Sequence, residues 1–301
     1  MEKSQYLKLM ELGEILDSAV RLYRTNFFDL VKAQLPVTLA LFIVLPIAGG
    51  ASLFGVFNQP ASYSGVSVES LLVTLLVTYS LLVIYSLIVY PLVLGAVTKV
   101  ASDAALTGEP SVKKAYRFAL RNKGKLIVTN FVISFIIGIV TGIFISMPLV
   151  MLVYAFLTSY SGGFIATAIF AFMLMAVGVF AAAYLWIRWV ATFPVLANEE
   201  EEYYGTFGAM QRSTNLVKGF AKKTFVVMVL AVLIPNVIQY SPTLVEVLLG
   251  RSLFILTIVF GVAAQGLLIP LVHCTRVVIY FELRTRKEGL DLEKRADQLI
   301  Q

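Results

Sequence analysis

The residue types that do chemistry are scarce in this chain. It has one His and one Cys, and they are neighbours, His273 and Cys274. An imidazole beside a thiol can activate a nucleophile. Successive residues on a helix, however, do not face each other, and one His with one Cys leaves a metal short of ligands. The run Asn198 to Tyr204, NEEEEYY, sets four carboxylates side by side. Such a run attracts divalent cations, but consecutive acids rarely converge on one ion without a dedicated loop. A solvated loop, or a charge partner for basic segments, is the competing reading. No P-loop, GxSxG, HExxH or dinucleotide fingerprint is present. The lone cysteine excludes an internal disulfide and any CxxC site. The sequence thus names no catalytic residue, no cofactor and no metal ligand, and points away from an enzyme.

Basic residues at helical spacing offer a different chemistry. Lys113, Arg117, Arg121 and Lys125 recur every four residues, opposite Val112, Ala115, Tyr116 and Ala119. Further upstream, Arg21 and Arg24 lie with Glu14 and Asp17 opposite an apolar face made by Leu12, Ile15, Leu16, Ala19, Leu22 and Tyr23. Downstream, Lys218 and Lys222 oppose Phe207, Met210 and Val217. Basic amphipathic helices lie in the headgroup plane of a bilayer. Each Lys or Arg near an anionic surface contributes about 1 kcal/mol. These eight cations are the lipid-headgroup candidates; the competing reading is a solvated basic face that merely caps a bundle.

The elements that position these groups are membrane helices. Hydrophobic residues make up 59% of the 301 residues and charged ones only 14%, against roughly 25% charged in soluble domains. From Leu126 to Ile187 there is no Asp, Glu, Lys, Arg or His. About 20 apolar residues cross a hydrocarbon core, and only helices or closed barrels can do so. The runs are continuously apolar rather than alternating, so the sequence predicts an all-α polytopic bundle of about six spans, at 35–57, 71–98, 126–157, 163–193, 224–247 and 252–280. Pro91, Pro148, Pro235 and Pro242 are the expected kinks. The N-terminus shows no cleavable signal pattern. Of the 24 Lys and Arg residues, only Arg251 falls in a loop assigned to the outside. The positive-inside rule then puts both termini in the cytoplasm of a cell in whose inner membrane the chain sits.

Within the spans the polar candidates are Asn130, Gln239, Gln265 and His273, with Asn236 beside them. Such residues join helices more often than they bind substrate. Gly138 and Gly142 form a GxxxG spacing, which marks close packing inside the bundle or at a dimer seam. Arg188, between Trp186 and Trp189, reads as an interfacial anchor.

Aligning Ala19, Ala115 and Ala209 puts Arg21, Arg117 and Gln211 in register, at offsets of 96 and 94 residues. A fixed period suggests duplication. The unit is an interfacial helix followed by two spans, so the copies run parallel. The chain then reads as one membrane domain over 1–301, with units at roughly 11–98, 111–193 and 205–280 and a basic and acidic tail over 281–301.

Four blocks occur in order: LGEILDSAVRLYRTNF, GAVTKVASDAALTGEPSVKKAYRFALR, FGAMQRSTNLVKG and VVIYFELRTRKEGLDLE. Together, over nearly the whole chain, they resemble the membrane domain associated with glycerophosphoryl diester phosphodiesterases. The tail from Phe281 to Glu293 is the most specific block; a common form of it has Asp where Glu282 stands. In the namesake enzymes a separate soluble barrel performs hydrolysis, and no such domain is found in this sequence. The resemblance implies a membrane component linked to envelope lipids and carries over no catalytic residue. Expected partners are anionic headgroups on the cytoplasmic side and membrane-protein partners or further copies of the chain, not nucleic acid. The function expected is non-catalytic engagement of lipid or partner proteins from the cytoplasmic face. The alternative is a transporter or lipid-moving protein with a path between the helical units.

Overall fold

The computed structural model describes residues 6–50, 76–77, 79–157, 164–199, 205–249 and 254–289, and their regular structure is entirely helical. Ten helices follow: α1 (Leu12–Thr25), α2 (Phe27–Gly50), α3 (Tyr79–Thr107), α4 (Val112–Arg121), α5 (Lys123–Phe156), α6 (Phe164–Arg188), α7 (Thr192–Asn198), α8 (Thr206–Val217), α9 (Ala221–Leu249) and α10 (Phe254–Glu288). Five stretches, built on α3, α5, α6 with α7, α9 and α10, are long and apolar enough to cross a membrane. The first expected span is carried by α2 as far as Gly50; its remainder, to 57, lies outside the described residues. The chain is an all-α helical bundle of a membrane protein.

Each break between helices has a local cause. Glu11 and Glu14 open α1, the Glu11 backbone N–H donating to the Glu14 carboxylate at 2.8 Å. Asn26 separates α1 from α2, its side-chain amide donating to the Leu22 carbonyl at 2.9 Å. Asn122 separates α4 from α5 in the same way, bonding the Phe118 carbonyl at 3.3 Å. Gly108, with φ of 73°, ends α3, and Ser111 caps α4 through the Lys114 N–H. Gly219, with φ of 92°, turns the chain between α8 and α9 as its sequence position suggests. The span expected over 163–193 is interrupted at Trp189–Ala191 before α7. Pro194 denies the helix a donor there, and Ser213 of α8 fills the gap: its hydroxyl accepts from the Ala191 N–H and donates to the Arg188 carbonyl.

Along its buried length α10 forms the centre of the bundle. It packs on α1, α2, α3, α7, α8 and α9, and Cys274, Val277, Val278 and Tyr280 are wholly buried in it. The α5–α6 pair is the opposite case. Only 6% and 11% of their apolar windows are buried, against 39% for α3. Phe156, Phe172 and Phe180 face outward. Surfaces of this kind are untenable in water and natural against acyl chains.

Proline breaks are answered in a consistent way. A proline removes one N–H, so the carbonyl four residues upstream (five in a widened turn) loses its helical partner, and the ring crowds the whole preceding turn. In lipid such groups must be satisfied from elsewhere. Three residues before Pro36, the Ala33 carbonyl accepts from the Tyr116 hydroxyl at 2.6 Å. Three before Pro270, the Leu267 carbonyl accepts from the Tyr23 hydroxyl at 2.5 Å. Five before Pro91, the Ser86 carbonyl accepts from the Asn130 amide at 3.1 Å. Pro91 and Pro148 each follow a widened turn, Tyr85–Val89 and Gly142–Ser146, that makes room for the ring. Pro235 and Pro242 stay inside α9.

Close helix approach occurs at glycines other than the GxxxG pair. A Cβ added at Gly138 or Gly142 meets nothing within 4 Å among the described residues, and Gly142 opens a widened turn. A Cβ at Gly266 runs into Thr38 of α2, one at Gly178 into Phe144 of α5, and one at Gly95 comes within 2.6 Å of Leu126.

The Tyr23 hydroxyl bonds the Leu267 carbonyl in the turn that Pro270 crowds, so the two residues are energetically coupled. Tyr23→Phe removes that bond and should lower stability by about 0.5–1.5 kcal/mol. In a Pro270→Ala background, where the turn is no longer crowded, the same change should cost less. Thermal unfolding of the four proteins in detergent measures the difference.

The charged end and its candidate site

Charged residues gather where α10 ends, and the sequence pattern of that helix explains how. Glu282 and Arg286 lie four residues apart, as do Tyr280, Arg284 and Glu288, so each set occupies one face. The region expected as a tail from 281 is, through Glu288, a continuation of α10 with Phe281, Glu282 and Leu283 buried. It stays helical because other elements supply its counter-charges.

Glu282 is 1% exposed and is the hub of one cluster. Its Oε1 accepts from Lys223 of α9 at 2.9 Å and from Arg286 at 2.6 Å. The Met10 carbonyl accepts from the same two cations. One carboxylate and one carbonyl thereby tie the N-terminal segment to α9 and α10. A second cluster centres on Glu199, at the end of α7. It accepts from Arg212 of α8 at 3.1 Å and from the Tyr280 hydroxyl at 3.0 Å. Arg212 also meets Glu288, and Arg284 holds Glu288 at 3.1 Å. Burial works against the charge of Arg212, but its bonds to Glu199 and Glu288 outweigh that and its pKa rises. Lys287 donates to the Asn215 and Lys218 carbonyls that close α8, where a cation also suits the helix dipole. Phe220 lies beneath Arg286, 5.2 Å from ring centre to guanidinium. On the far side, Lys99 of α3 donates to the Ala197 carbonyl and pairs with Asp103, and Asn198 donates to Ser102.

The sequence-derived candidates divide between this end and the bundle interior. Arg21 and Arg24 are exposed and, with Asp17, Val20 and Thr25, line a groove of about 450 Å³ on the outer side of α1. Lys113, Arg117 and Arg121 are exposed and Lys125 half-buried, while Ala115 and Ala119 on the opposite side are wholly buried. Lys218 and Lys222 are exposed. Arg188 stacks on Tyr184 at 5.2 Å, in keeping with an anchor. Of the polar interior candidates, Asn130 is spent on the Ser86 carbonyl. Gln239 is half-buried on α9, and Gln265 half-buried and His273 buried on α10, with no hydrogen bond among the three. Asn236 turns back to the Val232 carbonyl of its own helix at 2.7 Å. The candidates therefore do not converge on one interior cavity. In the NEEEEYY run, Glu199 serves as a charge partner for a basic helix; residues 200–204 lie outside the described residues. Among the described residues no three metal-binding side chains gather.

Sequence reasoning passed over Glu282, Lys223, Arg212, Tyr280 and Arg284. The i, i+4 pattern of the tail was available as a signal, but nothing local says which carboxylate meets which cation 59 or more residues away. It also passed over Tyr23 and Tyr116 as donors. Burial pushes each phenol up to about 12, so both keep their protons at neutral pH. Family models, curated proteins and solved structures yield no match to this chain.

The Glu282 hub makes a measurable claim. Glu282→Gln removes the charge that holds Lys223 and Arg286. Those two cations are part-exposed and can turn to solvent, so the expected loss, about 1–2 kcal/mol, is below the roughly 3–5 typical of a fully buried pair. Once Lys223 is Met, the same change should cost clearly less. Unfolding of the double-mutant cycle in detergent reads the coupling.

Proposed function

We propose that the chain is a non-catalytic inner-membrane protein that engages anionic lipid headgroups, and through them or beside them partner membrane proteins, from its cytoplasmic face. The observation that carries this reading is the division of labour among its cations. Arg212, Lys223, Arg284 and Arg286 are consumed by internal carboxylates. Lys113 and Arg117 instead line the exposed side of α4, whose Ala115 and Ala119 are anchored in the core, and Arg121 is exposed on the same side. A stripe of four basic residues adds a few kcal/mol of attraction to an anionic leaflet, at about 1 kcal/mol each. The groove of α1 offers Arg21 and Arg24 to the same surface.

Orientation follows from charge. With 23 of 24 basic residues assigned to one side, both termini are placed in the cytoplasm. The likeness of the four sequence blocks to the phosphodiesterase-associated membrane domain supports a role in envelope lipid homeostasis.

We also read the bundle as three parallel units. Ala19, Ala115 and Ala209 are all buried to 1% or less. Asn26 and Asn122, in register at the 96-residue offset, make the same bond to the carbonyl four residues back. Each short helix, α1, α4 or α8, is followed by two long ones. A transport path between units is the weaker reading. Carbonyls in the turns before Pro36, Pro91 and Pro270, which such a path would use to hold an ion, accept from Tyr116, Asn130 and Tyr23.

Reconstitution into nanodiscs of mixed zwitterionic and anionic lipid tests the proposal. Fluorescence energy transfer from Trp186 and Trp189 to labelled lipid should show anionic lipid enriched around the wild type. Reversing Lys113, Arg117, Arg121 and Lys125 to Glu should abolish or invert that enrichment. Equal enrichment in both proteins would refute the headgroup reading.

A further inference from the structure

Arg276 differs from the arginines around it. Arg212, Arg284 and Arg286 each hold a carboxylate, and Arg188 leans on Tyr184. Arg276 lies one helical turn, about 5.4 Å, further into the bundle along α10 than Tyr280. It makes no hydrogen bond or ion pair among the described residues. Its Nε is shut off from solvent and has no partner, while the residue as a whole keeps partial exposure. Three residues earlier, on the same face of the helix, His273 is 2% exposed and its Nδ1 is likewise unpartnered. Arg276 is within electrostatic reach of both His273 and the Tyr90 hydroxyl of α3. The Tyr90 hydroxyl makes no hydrogen bond among the described residues either.

An unpaired guanidinium in a low-dielectric interior is strongly disfavoured, and ionisable groups inside membrane bundles mark functional positions. Among the described residues at this end of α10, Glu199 is committed to Arg212 and Tyr280, and Glu282 to Lys223 and Arg286. His273, one turn away on α10, and Tyr90 nevertheless lie within electrostatic reach of it with hydrogen-bonding capacity unspent among the described residues. We propose that Arg276, His273 and Tyr90 form an oxyanion site that takes one phosphate group. The guanidinium fork matches two phosphate oxygens. An imidazole N–H and a phenol O–H supply further donors. Free phosphate and the phosphodiester of an anionic lipid share this chemistry. The site stands apart from the α4 stripe, which gathers headgroups collectively; either can fail without the other.

The full chain, purified and delipidated, provides the test in two arms. Native mass spectrometry counts phosphatidylglycerol retained against a phosphatidylcholine background. Calorimetry titrates inorganic phosphate into protein held in zwitterionic nanodiscs. One equivalent should bind in at least one arm, and which arm responds identifies the source. Arg276→Gln should weaken that binding at least tenfold, Arg276→Lys should keep part of it, and Lys32→Gln, on exposed α2 surface, should leave it unchanged. Without either probe, Arg276→Gln should melt no lower than wild type, since it removes an unpaired charge. No stoichiometric binding by the wild type, undiminished binding by Arg276→Gln, or a lower melting temperature of the probe-free variant would each overturn the proposal.

Discussion

Hydrocarbon offers a polar group nothing to bond, and that absence organises this protein. Among the described residues most charge gathers at one end of the bundle, and in the turns before Pro36, Pro91 and Pro270 a backbone carbonyl is bonded by a neighbouring helix. Tyr23, Tyr116 and Asn130 do the second job from three different elements, each aimed at a carbonyl upstream of a proline. The kinks and the helix contacts are therefore one feature: the side chain that repairs a break also fixes which helix lies beside it. This accounts for spans that bend without leaving irregular backbone open to lipid.

The same constraint divides the ionisable residues into working groups. Glu282 and Glu199 draw Lys223, Arg286, Arg212 and Tyr280 into a closed network that staples the N-terminal segment, α7, α8, α9 and α10 together. Outside this network, Arg21 and Arg24 of α1 and Lys113 and Arg117 of α4 are exposed, while the Arg276 side chain makes no ion pair among the described residues. Functional expectation follows from that remainder rather than from any catalytic constellation. Basic residues facing outward at the end of a membrane bundle suit an anionic leaflet.

The helical class and the spans were legible because they rest on composition and run length, which need no knowledge of contacts. The short helices were legible too: alternation of Ile15, Ala19 and Leu22 with Asp17 and Arg21 is a local signal, and Ile15, Ala19 and Leu22 are the residues the structure buries. Boundaries were less so. Asn26 and Asn122 split what reads as continuous helix, and α10 runs eight residues beyond the expected end of the last span, to Glu288. Its extension depends on Lys223 and Met10, far away in sequence. Gly138 and Gly142 have the spacing but no neighbour within 4 Å among the described residues, whereas Gly266 and Gly178 are closely approached by Thr38 and Phe144. The closing sequence block holds both Tyr280 and Glu282; only the fold brings Tyr280 to Glu199 of α7 and links Glu282, through Lys223 and Arg286, to the Met10 carbonyl.

Sidedness is the claim on which the rest hangs, because every functional statement places the basic end toward the cytoplasm. A membrane-impermeant maleimide, applied to cells before and after permeabilisation, reads it directly in a Cys274→Ser background. Ser64→Cys, in the loop between the first two expected spans, should label in intact cells. Lys113→Cys should label only after permeabilisation. Labelling of Lys113→Cys in intact cells, with Ser64→Cys protected, would contradict the account.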